Sequence, residues 1–299
     1  AAVILEDATF LVPGHPGGGW DTLTRTMGQA LGAAGITDDL AIENKDGNNG
    51  GVGLSYMIEN ADALSNTVML NTTQIVVRSL NGTYTDSYAD LVPVAAPVGD
   101  YAAFIVHPES EIQSMTDLMN AYQQDPAGFA IGGGSAPQGI DHLVSAMVMQ
   151  GAQEDIDFSY VQFDAPEPAF AAMIAGDVRA LTTEYTQAAA LAEQGVVRII
   201  GVTSPEGFAL PESIGNMTTQ GIDMEFIAWA GFFAPPGTSQ DEVAKFETAF
   251  AALYETETWE ELVSKNGWIT HQLDAQEFAA LLEKQGADVG AVLAPIAAN

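Results

Sequence analysis

Phe10-Leu11-Val12-Pro13-Gly14-His15-Pro16-Gly17-Gly18-Gly19-Trp20-Asp21 carries an apolar strand into a glycine-rich turn and straight out into a helix. Glycine lets backbone approach a ligand closely, and the first N–H groups of a helix have no acceptor within it, so the stretch predicts an anion cradle. A second copy follows in the other half of the chain. There Phe129-Ala130-Ile131 leads into Gly132-Gly133-Gly134-Ser135-Ala136-Pro137-Gln138-Gly139, and a helix opens around Ile140-Asp141-His142. One turn from each half suits a small carboxylate met from opposite sides.

Working outward, Leu23, Met27, Ala30, Leu31 and Ala34 recur at helical spacing until Gly35 stops the run. Strands are predicted at 40–42, 67–70 and 104–106, with a helix near 54–60 and a loop-rich stretch over 81–98. Ser114 caps a helix at 115–124. Beyond it come a strand at 129–131, a helix at 140–150, a strand at 160–163, a helix at 167–175, a strand at 180–183, a helix at 187–193 and strands at 196–202 and 226–233. The rest reads as helical, with Ser239 and Glu242 forming a capping box. Such alternation predicts an α/β protein with mainly parallel sheets. Two similar units imply two lobes, 1–102 plus 227–299 and 103–226, joined by two connecting strands that hinge near 100–103 and 225–228 around a central cleft. Ligands of such folds sit outside the carboxyl ends of the strands, where both turns fall.

With 299 residues, 47% of them hydrophobic, the chain can build large cores. Its 40 acidic residues against 8 Lys plus Arg give a formal net charge of -32. Nothing so acidic can neutralise a run of phosphates, which excludes nucleic acid as a partner. The acids are spread over all segments, as on a solvated surface, and their repulsion suggests work in concentrated salt, where the screening length is about 3 Å at 1 M. The absence of Cys rules out disulfides and thiolate chemistry. No stretch reaches the ~18 apolar residues of a membrane span. The start Ala1-Ala2-Val3 fits a processed export product.

Neither turn is a nucleotide loop: no Lys follows a Gly, and neither turn contains Gly-x-Gly-x-x-Gly. Gly133-Gly134-Ser135-Ala136 begins like a hydrolase nucleophile elbow, but Pro137 stands where its closing glycine belongs. A serine hydrolase using Ser135 and His142 is therefore the minor alternative, and Ser135 reads as a cap or ligand donor. His15, His107, His142 and His271 lack partners at metal-binding spacing, so no metal is expected. Asp21 and Asp141 stand at matching places after the turns; they either shape the ligand site or, more plainly, cap free amides, and Arg25 suits an i,i+4 ion pair with Asp21. The candidate ligand contacts are Gly14, His15, Gly17, Gly18, Gly19, Trp20 and Asp21 in the first turn and Gly134, Ser135, Ala136, Gln138, Gly139 and Asp141 in the second. Strand ends add Asn71, Thr72, Thr73, Glu184 and Tyr185, while Trp20, Phe163 and Trp229 would supply apolar walls. No basic residue lies in either turn, so backbone N–H groups, helix dipoles and hydroxyls would hold the anion.

On Pro13-Gly14-His15-Pro16-Gly17-Gly18-Gly19-Trp20-Asp21, Asn48-Asn49-Gly50-Gly51-Val52-Gly53, Val98-Gly99-Asp100-Tyr101, Gly132-Gly133-Gly134-Ser135 and Trp229-Ala230-Gly231-Phe232-Phe233-Ala234-Pro235-Pro236-Gly237-Thr238, the sequence resembles the periplasmic receptors of tripartite tricarboxylate transporters, the Bug family. The resemblance spans nearly the whole chain. It implies a type 2 periplasmic-binding-protein (Venus flytrap) fold and a non-enzymatic, cofactor-free monomer outside the cytoplasm. Such a receptor passes a small organic carboxylate to a two-subunit membrane permease. The first turn and Gly99-Asp100-Tyr101 look closest to the citrate branch, which puts tri- and dicarboxylates first, with an amino acid, an aromatic acid or a sulfonate as alternatives. Ala136-Pro137-Gln138 and Asp164-Ala165-Pro166-Glu167-Pro168 depart from the family pattern where the distal part of a ligand would lie.

Overall fold

The computed structural model describes residues 3–298. In chain order the elements are β1 (Ala8–Val12), α1 (Gly19–Ala33), β2 (Leu40–Asn44), α2 (Gly51–Glu59), β3 (Thr67–Thr72), α3 (Gln74–Leu80), β4 (Val92–Val106), α4 (Met115–Gln124), β5 (Ala130–Gly133), α5 (Ile140–Gly151), β6 (Ser159–Gln162), α6 (Pro166–Ala175), β7 (Ala180–Glu184), α7 (Tyr185–Glu193), β8 (Arg198–Val202), β9 (Ile227–Ala234), α8 (Gln240–Tyr254), α9 (Glu257–Asn266), β10 (Ile269–Leu273) and α10 (Ala275–Ala298). By packing they fall into two units, one of residues 1–99 and 229–286, the other of residues 100–228 and 287–299.

In the first unit β1 lies between β2 and β3, parallel to both, and β3 continues antiparallel onto β9. The early part of β4 follows β9 and carries β10 antiparallel on it. Phe10 is wholly buried, with ring centroids 5.0 Å from Phe232 and 6.3 Å from Phe250. Each such buried aromatic stabilises by roughly 1.5–3 kcal/mol. On α1, Met27, Ala30 and Leu31 are buried against this core, with Leu23 and Ala34 at its margin, the face its periodicity predicts.

In the second unit β5 lies between β6 and β7, parallel to both, and β7 pairs antiparallel with the later part of β4, which also carries β8. Helix α5 buries eight residues from His142 to Met149. Ser114 caps α4 as its position predicts, its side chain accepting the Asp117 N–H at 3.1 Å.

Four expectations change. The sheets are mixed rather than mainly parallel, because β4, β9 and β10 run against their neighbours. The stretch expected to be loop-rich contains the start of β4; Pro93 and Pro97, which cannot donate to a ladder, hide it. Residues after Thr238 are not all helical, since β10 is a strand whose polar residues alternate half-buried and exposed. Glu242 does not close the capping box: Ser239 Oγ accepts the Glu242 N–H at 3.3 Å, but the Glu242 carboxylate accepts the Asn66 N–H instead. In addition, the tail does not stay with the first lobe. Helix α10 keeps its apolar stripe past Gly286, with Val289, Val292 and Ile296 buried, and residues from 287 on belong to the second unit.

Candidate functional site

Parallel pairing brings the first unit's candidates to one sheet edge. Leu11 is opposite Met69 and Val12 opposite Asn44, so the turn beginning at Gly14 emerges beside Asn44 and residues 71–73. Asn44 Nδ2 donates to Gly14 O at 2.8 Å and to Asp21 Oδ1 at 2.9 Å. Asp21 turns back into the loop, accepting the Gly17 N–H at 2.8 Å and both its oxygens accepting from Arg25 Nε at 3.0 Å. Arg25, then Gly17 and Asn44, pull the Asp21 carboxyl down to about 2 against the raising effect of burial. Gly17 holds a φ of +82°, open to glycine at little strain.

The start of α1 carries no side-chain cap. Its first-turn N–H groups, from Gly19 to Asp21, are those that lack acceptors within a helix. His15, Gly17 and Gly19 are exposed and Trp20 is half-buried. A cation that sequence spacing did not flag stands near: the Arg78 guanidinium lies 5.8 Å from the centre of the Trp20 ring and donates to Asn49 O, which also accepts from Tyr84 Oη.

Of the other first-unit candidates, Asn71 is wholly buried; its Oδ1 accepts the Thr72 N–H, while Nδ2 has no partner among the described residues. Thr73 is structural, its Oγ1 accepting the Trp229 N–H at 2.9 Å. Trp229 is core rather than a ligand wall. It is 1% exposed, its Nε1 donates to Gln285 Oε1 at 2.7 Å, and its ring meets Phe278 at 4.8 Å.

The second unit converges in the same way. Gly133 is opposite Gln162 and Thr182, so Gly134 and Ser135 leave the sheet beside Phe163 and Glu184. Here four amides of the turn, those of Gly134, Ser135, Gln138 and Gly139, are already engaged. Asp141 Oδ2 accepts the N–H groups of Gly134 and Ser135, both at 2.9 Å, and Ser135 Oγ accepts the Asp141 N–H at 3.0 Å. Tyr160 Oη donates to Ser135 O at 2.8 Å. His142 Nδ1 accepts the Gln138 N–H at 3.1 Å and its ring stacks on Tyr160 at 4.5 Å. The Gly139 N–H donates to Ala136 O. Gln138 holds a φ of +64°. At Gly134 and Ser135 the expectation of amides free for a ligand is thus corrected, because the Asp141 carboxylate accepts both N–H groups.

Burial raises the Asp141 and Glu184 carboxyls above their ordinary range, with Asp100 and then Asp141 adding to the rise at Glu184. Burial lowers His142. Asp100, also raised by burial, accepts the Thr186 hydroxyl, and Tyr185 opens α7 next to it. With Ser135 Oγ and His142 Nδ1 both given to turn N–H groups, no hydrolase dyad is assembled among the described residues. No cluster of metal-ligating side chains occurs among them either.

A pocket of about 240 Å³ opens beside Gly133 and Gly134, walled by Phe163, Phe170, Leu181 and Leu191. Phe170 and Leu191 were not foreseen: both lie on helices, where an aromatic or leucine reads simply as core.

The Asp21 latch has a pH signature. Its carboxyl titrates at 3.8 when unconstrained and about 2 in the fold, so the unfolded chain takes the proton first as pH falls. The stabilisation is complete above about pH 4 and fades toward about pH 2. Asp21→Asn should lower Tm by several degrees at pH 7, and the gap to the wild type should close between those pH values when thermal unfolding is followed by circular dichroism.

A family model described as "Tripartite tricarboxylate transporter family receptor" matches residues 25–297. A UPF0065 protein from the tcbD–tcbE intergenic region of Pseudomonas sp. (strain P51) is 26% identical over 242 residues, covering 79% of this chain and 70% of that one. Among solved structures, a TctC solute binding protein from Polaromonas superposes with a TM-score of 0.84 at 21% identity, covering 96% of this chain and 98% of that one. MatC from Rhodopseudomonas palustris with bound malate gives 0.65 at 17% identity, covering 96% and 99%. A second R. palustris protein with adipate gives 0.68 at 22% identity, covering 98% and 97%.

Proposed function

Because the chain belongs to the tripartite tricarboxylate transporter receptor family, we propose that it captures a small organic carboxylate outside the cytoplasm and hands it to a two-subunit membrane permease. The family consists of solute-binding receptors, not enzymes. The observation that carries the reading is the first turn, where α1 begins without a side-chain cap and Arg78 stands beside Trp20. Uncapped N–H groups at the positive end of a helix dipole favour an anion. Gly19, Trp20 and Asp21 offer the amides, and Asn71 Nδ2 is a further donor in the same unit without a partner among the described residues. In the other unit, exposed Gly134 and half-buried Phe163 border a pocket of that unit's own. No helix among the described residues is long and apolar enough to cross a membrane.

Two R. palustris proteins of this fold carry malate and adipate, which supports a carboxylate as the solute class. Thermal shift in molar salt with citrate, malate, adipate, hexanoate and benzoate tests it. A carboxylate at a hundred times its Kd should stabilise by about 2.7 kcal/mol. A panel in which no carboxylate moves Tm, while a neutral solute does, would overturn the reading.

A further inference from the structure

The pocket beside the second turn is built for hydrocarbon. Its walls are the rings of Phe163 and Phe170 with Leu181, Leu191 and Ile105, and its polar edge is Thr182, Thr183 and Gln187. The charged side chain lining it is an acid, Asp164, and no Lys, Arg or His is among its lining residues. A second acid stands at its mouth, where Asp141 Oδ2 lies 3.9 Å from the point a Cβ on Gly134 would occupy. The N–H groups of Gly134 and Ser135, which could have offset a negative charge there, are held by Asp141 itself. A carboxylate placed in this pocket would lose its water, gain no donor from Gly134 or Ser135 and face two like charges.

We infer that the solute is a monocarboxylate with an apolar body, an aromatic ring or a short alkyl chain, and that this body enters the pocket beside Gly134. The inference rests on the reading of the chain as a carboxylate receptor and narrows its ligand away from citrate. The carboxylate is left to donors outside this pocket. Size agrees: an apolar cavity of roughly 150 Å³ holds benzene, so about 240 Å³ takes one substituted ring or a chain of about six carbons.

Hexanoate and adipate form a matched pair, with six carbons each and one carboxylate of difference. Titration calorimetry on the full chain should give hexanoate and benzoate at least tenfold tighter than adipate and citrate. Gln187 is exposed at the rim on α7, so Gln187→Arg adds a cation without disturbing the core and should improve adipate at least fivefold. Phe170→Ser should weaken benzoate at least tenfold with the circular dichroism spectrum unchanged. Citrate or adipate binding tighter than both monocarboxylates would overturn the inference while the receptor reading stands. If none of the four binds while malate does, this inference falls and the carboxylate reading stands; if malate fails too and a neutral solute binds, both fall. Benzoate affinity unmoved by both variants would remove the solute from this pocket.

Discussion

Gly134→Val should abolish solute capture and leave the fold intact, whereas Gly133→Val, one residue earlier, should cripple the second unit. A Cβ on Gly134 meets nothing nearer than Asp141 Oδ2 at 3.9 Å, and the residue borders the pocket, so an isopropyl group would fill space meant for ligand. A loss of at least a hundredfold in affinity, about 2.8 kcal/mol, is expected with Tm unchanged. At Gly133 the Cβ would stand 2.6 Å from both Asp141 Cβ and Tyr160 Oη. Those atoms belong to the network that shapes the turn and have no room to retreat, so overpacking costs about 3 kcal/mol, roughly 10 °C in Tm. Thermal denaturation and calorimetry with the best carboxylate check the pair. Equal stability losses would show that neither glycine is spared for ligand, and full affinity in Gly134→Val would move the site elsewhere.

Trp229→Ala should be the most damaging single change in the first unit. The ring is 1% exposed, meets Phe278 and Phe233 edge-on or tilted at 4.8 and 5.8 Å, and donates to Gln285 Oε1. Truncating such a side chain costs about 3–5 kcal/mol, a fall of roughly 10–15 °C. Trp229→Phe keeps most of the packing and loses the indole donor, which should cost about 1 kcal/mol. Neither variant should change the order of affinities among carboxylates, because the ring does not reach solvent. A reordered panel in Trp229→Phe would return it to the ligand wall.

The turns, the helices that follow them and the Asp21–Arg25 pair were legible because they depend on residues close in sequence. The convergence of 14–21 with 71–73, and of 134–135 with 163 and 184, was legible through strand ends, since parallel strands deliver their carboxyl ends to one edge. What was not legible came from tertiary placement. The direction in which Asp141 points, the approach of Asn44 from β2 and of Arg78 from α3, and the apolar face that α6 and α7 give the pocket leave no local signature. Strand β4 was hidden by its prolines and β10 by its polar composition. Asp21 and Asp141 take up free amides as expected of acids at these positions, but those of the preceding loops and not of their own helices, and the consequence for Gly134 and Ser135 required their distances.

Asp21 and Asp141 fasten the two loops at the moment the chain folds, so the disorder surrendered in shaping them is not surrendered again at each encounter with solute. Capture then proceeds at a rate set by collision rather than by rearrangement of these loops, and its heat-capacity change reports the hydrocarbon covered beside Phe163 and Phe170.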